Sequence, residues 1–500
     1  MNQRHQLSKS TFMKGCQCPK ALYLNKHHRQ LKDEVSDAQQ SIFDRGTRVG
    51  ELATQLFPNG KDASPPTPFD YPQSVAMTQQ LINDGIPIIY EACFQYDRVL
   101  AALDILVYRE GQWHAYEVKS STSVSETYEL DAALQYYVIT QSGLPLASIS
   151  IVHLNNQYER KGKLDTSQLF TTTDITTEVL ALQQKVQVKI PELKKVLEQS
   201  DPPQMDIGKH CNSPYACDFQ GHCWAHIPEE RSVFALPYAR GKDWELYGKG
   251  ILSLEEVPED YPLNEKHRQQ IDGYRTGEIQ LDKMAMGQFL NEVTYPLYFF
   301  DFETIQPAVP IWDGSRPYQQ VAFQYSLHYQ GKKGGALEHV AYLAATDGAD
   351  PRIALMEQLE RDANRPGDIW VYNIGFERAR LKEMGRDLPQ FSAMAEGLAG
   401  RLKDLMVPFQ KRHYYTPDMD GRYSIKNVLP ALVPELTYSA LDIQEGGTAS
   451  RTFLAMIQGH FKGDIETTRK HLLDYCELDT LAMVRILEKL YELELEPMKE

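Results

Sequence analysis

The run Tyr295-Pro-Leu-Tyr-Phe-Phe-Asp-Phe-Glu constrains the fold of this chain more than any other stretch. It is apolar enough to be a buried strand, yet Asp301 and Glu303 stand two residues apart within it. Alternate residues of a strand share a face, so both carboxylates point the same way. Burying an unpaired charge costs on the order of several kcal/mol. A chain that keeps two acids here needs a positive partner for them, and a bound metal ion is the natural one. A strand of this kind also needs covering layers, which points to helices packed on a sheet.

The rest of the sequence supports more than one such block. The chain has 500 residues, and a single core rarely grows beyond ~250–300, so two or three domains are expected. Residues 1–225 read as one α/β unit. Helical stretches come first, at about 36–56 and 74–84, and then strands in IPIIYEACF, RVLAALDILVY and WHAYEVKSS. A helix near 128–141, a strand in ASISIVHL and a polar helix near 174–199 follow. Residues 226–294 are polar and punctuated by Pro and Gly, and read as a helical connector. The strand and helix pattern resumes over 295–492, with strands in VAFQYSLHYQ, LEHVAYLA and GDIWVYN and a long amphipathic helix at the end. The expected fold class is α/β multidomain.

Nothing approaches the ~18 consecutive apolar residues of a membrane span. The first residues lack the apolar core of a signal peptide, so the expected setting is cytoplasmic, with no membrane partner. The net charge of −16 argues against a purely electrostatic nucleic-acid binder. It does not argue against acids gathered around metal ions. Scattered cations such as Lys9, Lys14 and Lys20 read as solvated surface.

The segment RVLAALDILVY-REGQ-WHAYEVKSS reads as a β-hairpin turning at Glu110-Gly111. Residues whose numbers sum to 221 then face each other, Asp104 and Glu117 among them. Opposed Cβ atoms lie ~5 Å apart, a separation that suits two carboxylates sharing a divalent cation. Lys119 points to the same face as Glu117, and Glu91 on the preceding strand offers a further ligand. The same residues also describe the solvent face of an edge hairpin. Asp104 followed by Glu117-Val118-Lys119 resembles the core of the PD-(D/E)XK nucleases, which have a restriction-endonuclease-like fold. Asp131-Ala-Ala-Leu-Gln135-Tyr136 resembles the glutamine–tyrosine helix of their RecB-like subgroup. The resemblance implies phosphodiester hydrolysis dependent on Mg2+ or Mn2+, with Gln135 reaching the site from the helix face it shares with Asp131. The sequence departs from that pattern at Gly50, where many such nucleases carry a metal-binding histidine.

Seven cysteines are present, and Cys211, Cys217 and Cys223 lie close together in CNSPYACDFQGHC. Thiolates ligate iron–sulfur clusters and structural zinc alike. The spacing lacks a Cys-x2-Cys knuckle, while His210 and His222 keep zinc open. Three late cysteines with an early Cys18 resemble the iron–sulfur RecB-like nucleases, in which a [4Fe-4S] cluster ties the N-terminus to the end of the domain. The run Cys-Pro-Lys-x-Leu-Tyr aligns Cys18, not Cys16, with that family's position.

In the last block, Tyr475 and Asp479 are four apart on a helix and share a face. VYNIGFERARL is a strand running into a helix, with Asn373 and Glu377 at the junction. Asp301-x-Glu303, Asn373-x-x-Phe376-Glu377 and Tyr475-x-x-x-Asp479 resemble the three motifs of the DEDD exonucleases of the RNase H-like fold, in their tyrosine variant. The resemblance implies 3′→5′ exonuclease activity, four carboxylates holding two metal ions, and Tyr475 positioning the attacking water. The departure is Glu377, where that family usually has aspartate, and Asp404 in RLKDLM is the alternative fourth ligand. Lys426 is either a phosphate contact or a surface lysine. The order of the two resemblances matches a bacterial family that fuses an iron–sulfur RecB-like nuclease to an RNase H-like domain. A metal-dependent nuclease is therefore expected, acting on single-stranded DNA or DNA ends ahead of RNA. The alternatives are a nucleic-acid-binding or scaffold protein of a repair or defence complex with one or both sites silent, and a nuclease in which only the C-terminal site cuts.

Overall fold

The computed structural model describes residues 5–65, 67 and 70–495, with backbone alone at 494 and 495. It divides into two units, Met1–His226 with Ala308–Tyr318, and Ile227–Pro307 with Gln319–Glu500. Both are α/β, with mixed sheets.

The first unit is organised by strands β1 (Ile88–Tyr96), β2 (Val99–Arg109), β3 (Gln112–Lys119), β4 (Leu146–Leu154) and β5 (Phe170–Asp174), adjacent in that order. Glu110 and Gly111 both have positive φ, 53° and 82°. That turn twists with the strands it joins, and it sets the register Ile105↔Tyr116 to Arg109↔Gln112. Each pair sums to 221, as the sequence predicts. β3 and β4 run parallel, so the chain must cross over between them. It does so through α5 (Glu126–Gln141), after α1 (Lys9–Gln17), α2 (Pro19–His27), α3 (Asp37–Ala53) and α4 (Tyr71–Asn83) have been laid down. Helix α6 (Thr176–Glu198) completes the set. One core joins Ala101 and Leu103 of β2 to Ala132, Ala133 and Val138 of α5 and Val186 and Ile190 of α6. A second core joins Ile105 and Val107 of β2 to Val49 and Ala53 of α3. Residues 101 and 103 thus face one core while 105 and 107 face the other, so β2 changes face at Asp104. Glu91, bracketed by the pairs Tyr90↔Ile105 and Ala92↔Leu103, has φ 51° at the same point. Such irregularities re-aim side chains.

In the second unit β6 (Leu297–Ile305) lies at the middle of a five-stranded sheet. Strands β7 (Val321–Gln330) and β8 (Leu337–Leu343) extend it antiparallel on one side. β9 (Asp368–Val371) and β10 (Leu402–Asp404) extend it parallel on the other. Tyr298, Phe300 and Phe302 pack against α7 (Pro351–Asp362), α8 (Ile374–Asp387) and α9 (Ser392–Gly400). The opposite face meets α11 (Gly446–Ile457) and α12 (Ile465–Leu495), and α10 (Ile425–Leu432) packs on α12. There Phe323 stacks on Phe453 at 4.1 Å, and Gln324 donates to the Leu472 carbonyl at 2.7 Å.

The stretch expected as a connector is part of this unit. Val233, Leu236, Leu246, Leu254, Ile271 and Tyr274 bury a small core of their own. Gln280–Leu281 pairs antiparallel with Tyr414–Tyr415, and Tyr274 donates to Asp420. Among the described residues, no helix is long and apolar enough to cross a membrane.

Candidate active sites

The second unit gathers its acids at the C-terminal end of β6. Asp301, Glu303 and Asp479 offer one carboxylate oxygen each, all within 4.8 Å of one another. Glu303 and Asp479 are buried, and Asp301 is half-buried. The cleft they line also takes in Glu377, Asn373, Lys426 and Tyr475. β6 supplies two acids because its odd residues face α12, and α12 supplies Asp479 with Tyr475 one turn before it. Tyr438 donates to Asp479 Oδ1 at 2.5 Å. A Cβ on Gly446, at the start of α11, would stand 3.4 Å from Glu303 Oε2, so the backbone approaches the acids closely there.

The electrostatics follow from burial. Burial, then Asp479, pushes Glu303 up to about 8. Burial also lifts Asp479 to about 6, against the Tyr438 hydrogen bond and Lys426. Asp301 is raised well above the usual carboxylate range by burial, then by Asp479, Glu377 and Glu303. Glu377 is pushed to about 8 by burial, with Asp404 adding to it. Its Oε2 is buried without a hydrogen-bond partner. Glu377 thus sits beside the trio without joining its tightest grouping. Lys426 is the cation on this cleft that offsets Glu303 and Asp479. Its ammonium lies 5.4 Å from the Tyr438 ring and 5.6 Å from that of Tyr475.

Asp404 is not brought into the cleft. Its Oδ1 accepts from the backbone of Asn373 at 3.2 Å and Met406 at 2.9 Å, and its Oδ2 from Ile374 at 3.2 Å. It anchors the β9-to-α8 junction, where Asn373 has φ 75°. A carboxylate occupied by three backbone N–H groups is a structural cap.

The first unit brings its predicted residues together differently. Lys119 Nζ donates to Glu117 Oε1 and to Asp131 Oδ2, each at 2.7 Å. Gln135 Nε2 reaches Glu117 Oε2 at 2.9 Å. Asp104 Oδ2 accepts from the Val118 N–H at 2.6 Å. Lys9, expected on the surface, donates to Glu117 Oε1 at 2.6 Å from α1. Burial works against ionising Glu117, but Lys119 and Lys9 outweigh it and hold the carboxyl at about 2. Burial, then Glu117, pushes Asp104 up to about 8. The two carboxyls are thus shifted in opposite directions. Burial, then Glu117, raises the Glu91 carboxyl. No three of Glu91, Asp104, Glu117 and Asp131 offer ligand atoms mutually within 4.8 Å. Gly50 on α3 has open space around it and supplies no ligand.

Cys18, Cys211, Cys217 and Cys223 line one small cavity with His210 and Met205. Cys18 caps α2, its sulfur accepting from the Ala21 N–H at 3.4 Å. The Gly208 N–H lies 3.5 Å from Cys211 Sγ. Burial pushes Cys217 up to about 11 and raises Cys18 and Cys223. Cys16 is not at this cavity; it packs among the first core's residues.

Sequence reasoning missed Lys9, Tyr438 and Gly446. Nothing in their local sequence marks them, because each meets its carboxylate only through tertiary packing.

Residues 298–424 match a family model described as a domain of unknown function, DUF2779. The match takes in Asp301, Glu303, Glu377 and Asp404 and ends before Tyr475. The chain is similar to a protein of Mycoplasma pneumoniae described as uncharacterised, 27% identical over 205 residues, covering 38% of this chain and 31% of that one. A Ureaplasma parvum protein with the same description is 25% identical over 241 residues, covering 43% of this chain and 34% of that one. The chain spans about a third of the length of the curated relatives it matches.

Proposed function

We propose that the second unit is a divalent-metal-dependent nuclease of the RNase H-like DEDD type, removing nucleotides from the 3′ ends of DNA in preference to RNA. One observation carries the reading: three carboxylates from β6 and α12 converge within 4.8 Å of one another. Four acids face the cleft and Lys426 is exposed at its rim. That all-oxygen donor set fits Mg2+ or Mn2+. Ions of this class, when bound, supply an activated water and stabilise the leaving oxygen. The chain's own residues orient the rest. Tyr438 fixes one oxygen of Asp479, Tyr475 stands over the cleft to align a water, and Lys426 offers a cation to a phosphate. Glu377 reaches the site from the first turn of α8, where its extra methylene relative to aspartate is available to span the gap.

For the first unit we propose a RecB-like PD-(D/E)XK fold that grips nucleic acid. Its charge balance supports this role. Glu117 and Asp131 are matched by Lys9 and Lys119 within the fold. A silent or weak cutting site fits that arrangement, as does the missing ligand at Gly50.

The four cysteines fit a [4Fe-4S] cluster. They line one cavity, thiolates ligate such clusters and structural zinc alike, and the resemblance to the iron–sulfur RecB-like nucleases favours the cluster. Its loss would release α2 from the segment after α6.

The test uses full-length protein with Mn2+ and end-labelled single- and double-stranded DNA and RNA. Stepwise loss from 3′ ends, abolished by Asp301→Asn and retained in Lys119→Ala, is the expected result. A second activity lost only in Lys119→Ala would make the first unit a cutter. Absence of any cleavage by wild type with Mg2+ or Mn2+ refutes the nuclease. Protein purified without air should be brown, and colourless protein with stoichiometric zinc refutes the cluster.

A further inference from the structure

The face of the second unit's sheet that carries Asp301 also carries a group of a different chemistry. His328 on β7 and His339 on β8 are cross-strand partners, and their rings stack at 4.4 Å. Glu477, on α12, places a carboxylate oxygen 3.7 Å from His339 Nδ1. A nitrogen of each ring and a Glu477 oxygen lie mutually within 4.8 Å.

We propose that His328, His339 and Glu477 form a transition-metal site that takes Zn2+ in preference to Mg2+. This inference does not depend on the nuclease reading.

The hydrogen bonds behind the rings carry the argument. His328 Nδ1 pairs with Thr480 Oγ1 at 2.8 Å, and His339 Nε2 with Ser326 Oγ at 2.9 Å. The two hydroxyls are themselves 2.7 Å apart. One short network thus fixes one nitrogen of each ring, leaving His328 Nε2 and His339 Nδ1 as the ligating atoms. Metal-binding histidines are held in this way, with the second nitrogen engaged so that the ring orientation is set. A plain ion pair does not account for it. The separation of 3.7 Å between His339 and Glu477 exceeds hydrogen-bond length, and a salt bridge has no need of the second, buried histidine. Two imidazoles with one carboxylate suit zinc and its neighbours, whereas Mg2+ prefers all-oxygen sets. Three protein ligands leave a position for water.

The site is near the acidic centre but separate from it. Ser326 is the register partner of Asp301, and Thr480 follows Asp479 on α12. A cation here would brace β7 and β8 against the helix that carries Asp479.

The experiment titrates full-length protein with Co2+ in excess Mg2+, so that the all-oxygen centre is filled by Mg2+. Bound Co2+ is counted by elemental analysis after dialysis and followed by visible absorption. Wild type, Glu477→Gln and His339→Ala are compared. His339→Ala should bind one equivalent fewer than wild type and lose d–d bands that carry no thiolate charge transfer. Glu477→Gln should weaken that equivalent by about tenfold or more. Any cysteine-bound cobalt is identical in the three proteins and cancels. Equal stoichiometry, affinity and spectrum overturn the proposal. If His339→Ala does not fold, the exposed Glu477→Gln decides alone, because unchanged affinity there removes a ligand from the site.

Discussion

Replacing Glu303 by glutamine should stabilise the metal-free protein and weaken its hold on metal. The side chain keeps its shape and loses the charge that burial and Asp479 penalise. An unfolded glutamate ionises near 4.5, whereas Glu303 in the fold does so at about 8. Between those values the folded state holds a proton that the unfolded chain has given up. Stability therefore falls as pH rises through the window, by about 1.4 kcal/mol per pH unit. Over the full interval the ceiling is roughly 5 kcal/mol. Local relaxation and entry of water reduce this, so a difference of about 2–4 kcal/mol at pH 8 is expected. The assay is urea unfolding of wild type and Glu303→Gln at pH 5 and pH 8, with and without Mn2+. Without metal the two proteins should be close at pH 5 and the variant more stable at pH 8. With Mn2+ the order should reverse, because ion binding stabilises the folded wild type by mass action. A variant no more stable than wild type at pH 8, together with a wild type indifferent to Mn2+, would refute the reasoning.

Two further outcomes test other parts of the sites. Lys9→Met should cost about 1.5–3 kcal/mol in denaturant unfolding, the typical worth of a hydrogen bond to a charged group, and no loss would return Lys9 to the solvated surface. Asp404→Asn should cost about 1 kcal/mol as a weakened cap and leave Mn2+ affinity intact in calorimetry, while Glu377→Gln lowers that affinity; the reverse pattern would make Asp404 the fourth ligand.

Sequence reading worked where structure is local. The turn at Glu110-Gly111 fixed the β2–β3 register because two positive-φ positions leave few ways to join strands. The alternation in β6 placed Asp301 and Glu303 on one face, and the i to i+4 step placed Tyr475 with Asp479. It failed where a side chain's partner lies far along the chain. Lys9 looked like any surface lysine, since its carboxylate is more than a hundred residues away. Asp404 looked like a ligand because hydrogen bonds to the backbone of a neighbouring strand end leave no mark on composition. Simple alternation along β2 missed the change of face at Asp104, which depends on the irregular backbone of Glu91 opposite. The polar stretch 226–294 hid a small core because its apolar residues are dispersed between turns.

Helix α12 acts as a ruler for the whole second unit. Tyr475, Glu477, Asp479 and Thr480 occupy about one and a half turns, yet they serve the acid cleft and the paired histidines at once. Adding or deleting a single residue just before them would rotate all four by about 100°. Both centres would then fail in one step, whereas the exposed β7–β8 turn can change length without that penalty. Length variation among distant relatives should accordingly collect in such turns and spare this stretch of helix.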